Sequence, residues 1–426
     1  MVADMRAMKE SGIPWIGLIP DEWTRSKIKN VCSVLGSGTT PDSHILDYYD
    51  GDIHWIQSGD IYGKSEIVDT FANVTALALR ASSALKVYRS PFVVMAMYGG
   101  SVGNIAISSI NACSNQACCC MKPNNDVAIR FLYYWLDFCK QDFLVKAEGG
   151  GQPNISQNKI KNQFIYLPSI CEQERIVAFL DAKCAEIDAL SADIQAEIDT
   201  LEAYKRSVIT EAVTRGLDRS VPMKDSGIEW VGEIPAHWGV EKGKYCLRYV
   251  QKPTKPDDDV ITCFRDGEVT LRKNRREEGF TISLKEIGYQ GIDVGDLIVH
   301  GMDGFAGSIG ISDSRGKASP VLNVLDTDHN KRYIMYYLRS LAFNGVFLAL
   351  STGIRVRTCD TNWGKLRELL YVLPPKDEQE AIVQFVDDKL KSADEIISQK
   401  REQLAVLDDY KKSIIYEYVT GKKEVV

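Results

Sequence analysis

Three polar turns in the first part of the chain carry the side chains best suited to contact a nucleic acid. Their sequences are GSGTTP at 36–41, WIQSGD at 55–60 and GGGQPNIS at 149–156. Amide groups can bond adenine edges, hydroxyl and backbone N–H groups can hold phosphates, and lysine supplies positive charge. Plain turn chemistry is the alternative for each loop. The predicted contact residues here are Ser37, Thr39, Thr40, Gln57, Ser58, Gln152, Asn154, Gln157, Lys159 and Lys161.

A second group of candidates is cationic and lies in the second half of the chain. Four cations occur within the five residues 272–276, and two arginines alternate at 355 and 357. Guanidinium groups can bond guanine and phosphate, although a basic run can also be only a solvated face. The predicted contact residues are Arg265, Arg272, Lys273, Arg275, Arg276, Arg355 and Arg357.

Catalytic and metal-binding motifs are missing from the sequence. It contains no phosphate-binding GxxxxGK[ST] loop, no GxSxG turn, no strand followed by GxGxxG, and no [DN]PP[YF] segment. Cys118, Cys119 and Cys120 are adjacent, so in a strand they point to opposite faces and cannot share a metal. We therefore expect a non-catalytic chain without a metal site. A nuclease that uses the acidic run from Asp257 to Glu268 remains the enzymatic alternative.

The chain is an internal duplication. Residues 8–23 and 223–238 are identical at ten of sixteen positions, with an offset of 215. LEAYKRSVITEAVT at 201–214 matches LDDYKKSIIYEYVT at 407–420, with an offset of 206. The order is therefore a variable segment, a repeated helical segment, a second variable segment and a second helical segment.

The two helical segments are predicted to pair with each other. No Gly or Pro interrupts 171–215 or 376–420, and each helix would be roughly 65 Å long. Apolar residues recur every three or four positions, which is typical of a coiled-coil seam. Because two copies of one unit tend to pack about a twofold axis, we expect an antiparallel pair; separate packing of each helix on its own domain is the alternative. The predicted seam consists of Ile176, Leu180, Cys184, Ile187, Leu190, Ile194, Ile198, Leu201, Tyr204 and Val208, with Ile382, Val386, Leu390, Ala393, Ile396, Leu404, Leu407, Tyr410 and Ile414.

The variable segments are predicted to be mixed α/β (α+β) domains. Short β-rich runs lie at 53–56, 92–97, 104–107, 296–299 and 308–311, and a helix is expected at 127–138 and at 331–341. The predicted divisions are a first recognition domain at 1–165, a long helix at 166–216, a second recognition domain at 217–372 and a second long helix at 373–426.

The charge of the chain is unevenly distributed. With 51 basic and 58 acidic residues the net charge is −7, which by itself argues against a polyanion partner. The helical segments 171–215 and 376–426 have 10 acidic against 5 basic and 12 against 9 residues, a net of −8. The remaining segments are close to neutral. Because these segments are not basic, we expect only weak DNA binding by the chain alone. No secretory signal and no membrane span is predicted, which indicates a cytoplasmic protein.

Several motifs resemble those of the specificity subunits of type I restriction-modification systems. They are the SGIxWxGxIPxxW opening, WIQSGDI, GGGQPNIS, the LPxxxEQExIV entry to each long helix, and GDLIVHGMDGFAGSIGISDS at 295–314. The similarity extends over nearly the whole chain and includes the order of variable and helical segments.

The resemblance implies a role and a set of partners. Each variable domain would read one half of a bipartite double-stranded DNA target, and the helices would fix the unread spacer. The helices would also dock two methyltransferase subunits, with restriction subunits in the full complex. S-adenosylmethionine, ATP and Mg²⁺ would belong to those partners, with no cofactor in this chain. Trp15, Trp23, Trp230 and Trp238 would pin the domains to the helix ends. A nucleic-acid adaptor or scaffold without methyltransferase partners is the non-enzymatic alternative.

Overall fold

The computed structural model of the chain describes residues 6–149, 151–275, 286–350 and 361–425. The chain forms two compact units, of which the first consists of Met1–Asp193 with Gln403–Val426 and the second of Ile194–Glu402. Each unit combines one α/β domain with half of each long helix. The predicted pair of α/β domains and long helices is confirmed.

The first unit contains twelve strands and six short helices among the described residues, followed by the first long helix. The strands are β1 (Met8–Glu10), β2 (Leu18–Pro20), β3 (Thr24–Lys27), β4 (Cys32–Gly36), β5 (Tyr49–Ile56), β6 (Glu66–Ile67), β7 (Asn73–Val74), β8 (Phe92–Ala96), β9 (Ile105–Ser108), β10 (Ala112–Ser114), β11 (Cys118–Pro123) and β12 (Phe164–Leu167). The helices are α1 (Ile28–Val31), α2 (Ser58–Ile61), α3 (Ala76–Ala81), α4 (Ile129–Phe138), α5 (Lys140–Lys146), α6 (Gln157–Asn162) and the long α7 (Ile170–Arg215).

A five-stranded sheet in the order β4-β11-β8-β9-β6 forms the centre of the first domain, beside a smaller sheet in the order β10-β5-β7. Alternation along β11 places Cys119 in the core against α4, whereas Cys118 and Cys120 enter a separate apolar cluster on the other face. Burial raises the pKa of the Cys120 thiol to about 12. The three thiols are thus packed core side chains on opposite faces of one strand.

The second unit repeats the plan with other strands. Its strands are β13 (Met223–Asp225), β14 (Glu233–Pro235), β15 (Gly239–Lys242), β16 (Arg248–Tyr249), β17 (Ile261–Cys263), β18 (Val269–Leu271), β19 (Gln290–Ile292), β20 (Leu297–His300), β21 (Ile309–Ile311), β22 (Gly316–Ala318), β23 (Leu322–Asp326) and β24 (Leu370–Leu373). Its helices are α8 (Gly243–Cys246), α9 (Arg272–Arg275), α10 (Lys331–Phe343), α11 (Val346–Ala349), α12 (Trp363–Leu366) and the long α13 (Lys376–Val419). The main sheet has the order β16-β23-β20-β21. The strands and the two domain helices predicted from sequence are all present.

The long helices run antiparallel within each unit. In the first unit the Phe179 ring lies 4.3 Å from the Tyr418 ring, and Lys411 Nζ lies 2.6 Å from Asp188 Oδ1. As the residue number increases along α7, the number of the contacting residue in α13 therefore decreases. In the second unit Lys205 Nζ lies 2.6 Å from Asp394 Oδ1, which is the same arrangement with the repeats exchanged. The predicted antiparallel pairing is confirmed.

The prediction of the seam is wrong for four residues, because their side chains are exposed to solvent. The side chains of Leu190, Tyr204, Ile396 and Tyr410 are 48%, 45%, 43% and 52% exposed. The residue that follows occupies the seam in three of these places: Ile397 is 2% exposed, and the Lys205 and Lys411 side chains are only 20% and 29% exposed. A lysine can lie in a seam because its stem packs while its ammonium group pairs with a carboxylate on the facing helix.

The glutamine of each EQE motif ties the start of a long helix to the domain helix. Gln173 Nε2 donates to the carbonyl oxygens of Asp126 and Pro168 at 3.0 Å, and its Oε1 accepts from the N–H of Ala128 at 2.9 Å. Gln379 makes the equivalent bonds to Pro374 and Asn330. Both glutamines are completely buried, so the repeated motif is a structural clamp.

The end of the other long helix reaches each domain through a tryptophan. Gly421, after α13, lies against Trp23, and a Cβ there would be 2.9 Å from Trp23 Cζ2. Gly216, after α7, meets Trp238 at 3.0 Å in the same way. Both glycines have positive φ, which glycine adopts without steric cost.

The predicted role of the four tryptophans is confirmed for two of them. Trp23 and Trp238 are each 1% exposed, and Trp238 Nε1 donates to Glu378 at 2.9 Å. Trp15 and Trp230 are each 39% exposed, and the Trp15 ring lies 5.0 Å from the Phe138 ring of α4. For these two residues the role stays a prediction.

Substitution of Gln173 by Ala is expected to lower the free energy of unfolding by about 2–4 kcal/mol, because buried peptide groups would lose their partners. Urea unfolding of the full chain measures the change. Gln195→Ala, which removes an exposed glutamine from the same helix, should change it by less than about 0.5 kcal/mol. Equal effects of the two substitutions would contradict the clamp.

Acidification is expected to destabilise the second unit through His329. Its Nδ1 lies 3.0 Å from Gln379 Nε2, so the ring must accept this bond unprotonated, and burial lowers the pKa of His329 below its usual value. The unfolded chain then binds the proton more readily, and stability is lost as the pH falls below about 6.5. Unfolding measured at about pH 7.5 and about pH 5.5 should show a smaller pH effect in His329→Asn than in the wild type. An unchanged pH effect would remove His329 as its cause.

Candidate nucleic-acid interface

The polar loops of the first unit meet at the end of β8. The Met97 N–H donates to the Ala117 carbonyl at 2.8 Å, and the Met97 carbonyl accepts from the Ile155 N–H at 2.9 Å. The end of this strand therefore lies between the 114–117 turn and the GGGQPNIS loop. The Asn115 N–H donates to the Ile56 carbonyl at 3.0 Å. This bond brings the turn that holds Gln57 to the same place.

The GSGTTP loop is fastened to the same edge. The Gly38 N–H donates to Ser114 Oγ at 3.1 Å, and Gln157 Nε2 donates to Ser37 Oγ at 3.4 Å. A Cβ on Gly38 would lie 1.7 Å from the Ser114 carbonyl oxygen, so only glycine permits this approach. Thr40 Oγ1 is bonded to Gln116 Oε1 at 2.8 Å. Thr39 is half-buried between these anchors.

The described residues of the GGGQPNIS loop form a turn beside this cluster. Asn154 and Glu148 exchange backbone hydrogen bonds of 2.7 and 2.8 Å, and the Gly99 N–H donates to the Pro153 carbonyl. The side chains of Gln152 and Asn154 are in exposed residues. The two amides at this turn are therefore accessible from solvent.

The two lysines after this loop differ in their electrostatic surroundings. Lys159 Nζ lies 2.5 Å from Glu148 Oε1 and also donates to the Lys146 carbonyl. Within the part of the chain that the structure describes, no carboxylate lies within ion-pairing distance of Lys161. Lys161 therefore retains charge for an external anion, whereas that of Lys159 is largely neutralised.

Gln57 and Ser58 stand at the start of α2. Asp60 accepts from the Gln57 N–H at 2.8 Å and from the Phe71 N–H at 2.9 Å, so the turn is rigid. Both Gln57 and Ser58 are half-buried. Seven of the ten predicted residues of the first unit lie in turns, or at the start of α2, that meet at one edge, which we call the first polar edge: Ser37, Thr39, Thr40, Gln57, Ser58, Gln152 and Asn154. Gln157, the first residue of α6, joins this edge through its bond to Ser37, whereas Lys159 and Lys161 lie further along α6.

Sequence reasoning missed four residues at the first polar edge, namely Tyr98, Ser114, Asn115 and Gln116. Ser114–Gln116 form a short polar turn between β10 and β11, and Tyr98 is 39% exposed after β8. The NQ pair between two apolar runs was the available signal. Their proximity to the GSGTTP loop depends on parallel pairing of β10 with β5, which no local pattern indicates.

Three cations of the basic cluster in the second unit have carboxylate partners. Arg265 pairs with Asp303 at 2.9 Å, and Lys273 pairs with Asp259 at 2.5 Å. Arg275 pairs with Asp266 at 2.6 Å and lies over the Phe264 ring. Any nucleic acid that contacts these cations must displace or share their carboxylates.

Of the four remaining predicted cations of the second unit, the structure describes one, Arg272. Arg272 Nε donates to Thr262 Oγ1 at 3.4 Å and lines a cavity of about 790 Å³ with Arg265, Arg275 and His300. Arg276, Arg355 and Arg357 lie outside the described residues.

His300 supports a turn next to this cavity. Its Nδ1 accepts from the N–H groups of Met302 and Asp303, at 3.2 and 2.9 Å. Burial lowers the pKa of His300, in keeping with a neutral ring. This geometry gives His300 a structural role in the turn.

Several carboxylates of the acidic run in the nuclease alternative are likewise engaged in ion pairs. Asp258 pairs with Arg315 at 2.9 Å, in addition to the pairs of Asp259 and Asp266. Over the described ranges, no group of three or more His, Cys, Asp or Glu residues could hold a metal ion. No described helix is long and apolar enough to cross a membrane.

Comparison with known proteins identifies one family. The family model "Type I restriction modification DNA specificity domain" matches residues 20–200. The MjaIX specificity subunit of Methanocaldococcus jannaschii is 30% identical over 169 residues, which are 39% of this chain and 38% of that protein. The putative MjaX specificity subunit of the same organism is 24% identical over 96% of both chains.

A solved structure of a type I R-M system contains a chain with the same fold. The two chains superpose with a TM-score of 0.67 at 17% sequence identity, over 94% of this chain and 98% of the other. The internal duplication, the paired helices and these similarities agree. Residues 20–200 thus match the DNA specificity domain of type I restriction-modification systems, and nearly the whole chain is similar to type I specificity subunits.

Proposed function

We propose that the chain is the DNA-reading subunit of a type I restriction-modification complex, and that each unit reads one half of a bipartite target. One observation carries the proposal: the helical framework is duplicated, while the two domains on it present different polar surfaces. The first unit offers amides and hydroxyls at the first polar edge, and the second offers arginines held by carboxylates. Two unlike reading surfaces on a repeated frame suit an asymmetric bipartite sequence.

The chemistry is assigned to partner subunits. In this proposal two methyltransferase subunits bind the chain, use S-adenosylmethionine and methylate adenine; restriction subunits add ATP and Mg²⁺. The chain itself supplies no catalytic group and no cofactor site. The complex would act on DNA in the cytoplasm.

Deletion of the gene is expected to abolish one methylated adenine motif made of two short halves separated by an unread spacer. Methylome sequencing of the wild type, the deletion and a complemented strain provides the measurement. Complementation with a chain whose first domain is replaced should change one half of the motif and leave the other. If the system is expressed and no bipartite motif changes in the deletion strain, the proposal fails.

Lys161→Ala is expected to weaken DNA binding of the assembled complex and to lower the slope of log affinity against log salt by about 0.9, the value for one phosphate contact. Lys159→Ala is the matched control, since Glu148 already neutralises that ammonium group. Filter-binding titrations over a range of salt concentrations separate the two. Equal slopes for wild type and Lys161→Ala would place Lys161 away from phosphate.

The scaffold alternative differs only in its partners. Affinity purification of the tagged chain from cells that express the neighbouring methyltransferase gene tests it directly. Recovery of nucleic acid without any methyltransferase would favour the scaffold. We expect the isolated chain to bind DNA weakly, because its domains are close to neutral and methyltransferase subunits would add phosphate contacts.

A further inference from the structure

One loop of the first domain, residues 62–71, holds apolar side chains in solvent. The Phe71 side chain is 97% exposed, and Tyr62 and Val68 of the same loop are also mostly exposed. Single apolar side chains are common on protein surfaces, but three in one short loop form a patch. Nothing within the described part of the chain covers the Phe71 ring, so its exposure points to a contact outside the chain.

The backbone around Phe71 is fixed on both sides of the ring. After it, the Ala72 carbonyl accepts from the Trp55 N–H of β5 at 3.2 Å. Before it, Thr70 Oγ1 lies 3.1 Å from His54 Nδ1, also on β5. The ring is therefore presented to solvent from a backbone that the sheet holds in place, which is the arrangement a contact residue needs.

The residue that holds Phe71 also holds part of the first polar edge. Asp60 is buried; its Oδ1 accepts from the Phe71 N–H at 2.9 Å, and its Oδ2 accepts from the Gln57 N–H at 2.8 Å. One carboxylate therefore sets the backbone of the exposed ring beside the predicted contact residue Gln57. The apolar patch is continuous with the candidate nucleic-acid interface.

The place of Phe71 in the sequence favours DNA over a protein as the partner of its ring. Residues that build the common frame recur in both halves of the chain, as Gln173 and Gln379 do. Phe71 lies between the repeated segments, where the two halves have diverged. A contact that differs between the halves suits the part of the complex that differs between them, which is the two parts of a bipartite DNA target.

We propose that Phe71 is a wedge that enters the base stack of double-stranded DNA beside the half-site read by the first unit. This inference rests on the proposed function. An apolar side chain that inserts between neighbouring base pairs unstacks them partly and kinks the duplex. Tyr62 and Val68 add apolar surface next to the opened step, while Gln57 contacts the DNA beside it.

The wedge contributes to affinity without neutralising a phosphate. Its gain comes from stacking against bases and from removal of apolar surface from water, whereas a lysine contact releases counterions. Loss of the ring is therefore expected to weaken binding equally at low and high salt. This separates its effect from that of Lys161.

Substitutions in the full chain, assembled with the neighbouring methyltransferase subunits, test the proposal on DNA that carries the motif found by methylome sequencing. Phe71→Ala should weaken binding about tenfold and leave the slope of log affinity against log salt unchanged. Phe71→Leu, which keeps an apolar wedge, should stay within about threefold of the wild type. Leu46→Ala is the matched control: its side chain is 81% exposed, and it precedes β5, whereas Gln57 follows the other end of that strand.

A second measurement reports insertion itself. 2-Aminopurine is placed at successive positions in and beside the first half-site, other than the methylated adenine, and its fluorescence increases when a neighbouring base no longer stacks on it. We expect one step to brighten with the wild type, with Phe71→Leu and with Leu46→Ala, and to stay dark with Phe71→Ala. Circular dichroism and thermal unfolding of all variants should match the wild type, since the replaced side chains are exposed.

The outcomes distinguish this inference from the proposed function. Wild-type affinity and fluorescence in the Phe71→Ala complex would overturn the wedge and leave the proposed function standing. Fewer methyltransferase subunits on Phe71→Ala in native mass spectrometry, with unchanged DNA affinity of the complexes that do form, would assign the ring to a protein contact and also overturn the wedge. Absence of sequence-specific DNA binding by the wild-type complex would overturn both.

Discussion

Each unit is held together by the meeting of two helix ends that belong to different repeats. The start of one long helix enters the domain through the EQE clamp, in which a buried glutamine bonds the loop before α4 or α10. The end of the other long helix arrives at the same domain, where the glycine after it lies against Trp23 or Trp238. A domain therefore depends on both helices, and antiparallel pairing is the arrangement that brings a start and an end together. The other contacts at this junction, including those of Asp181 and Asp387, follow from it.

The junction between the helix ends and the domain uses the same residues in both repeats, whereas the loops away from it differ. The clamp, the tryptophan and the glycine use residues that recur in both repeats, because the same junction is built twice. The loops at the end of β8 in the first unit, and the cations near the cavity in the second, lie away from that junction. They can therefore differ without loss of the frame. A bipartite recognition protein needs this combination, since its two halves must read different bases from equivalent platforms.

The two candidate contact surfaces differ in how their charges are paired. In the first unit Lys161 keeps its charge while Lys159 is held by Glu148. In the second unit Arg265 and Arg275 have carboxylate partners, so contact with a polyanion involves exchange of existing ion pairs. Such exchange contributes less affinity than an unpaired cation but makes contact sensitive to geometry. The net charge of the domains is close to zero in the sequence, and in the structure many of their basic side chains are paired with nearby carboxylates.

The sequence alone was enough to predict the duplication, the two long helices, their antiparallel pairing and the polar loops, because each leaves a local or periodic signal. It also indicated that Cys118–Cys120 alternate between faces, which follows from strand geometry alone. It could not determine which apolar positions on the helices are buried: Tyr204 and Tyr410 have the right spacing, but both are exposed, and the lysine that follows each of them occupies the seam. Nor could it show that Ser114–Gln116 lie beside the GSGTTP loop, or that the basic cluster has acidic partners. These features depend on contacts between residues far apart in the chain, and only the tertiary structure decides them.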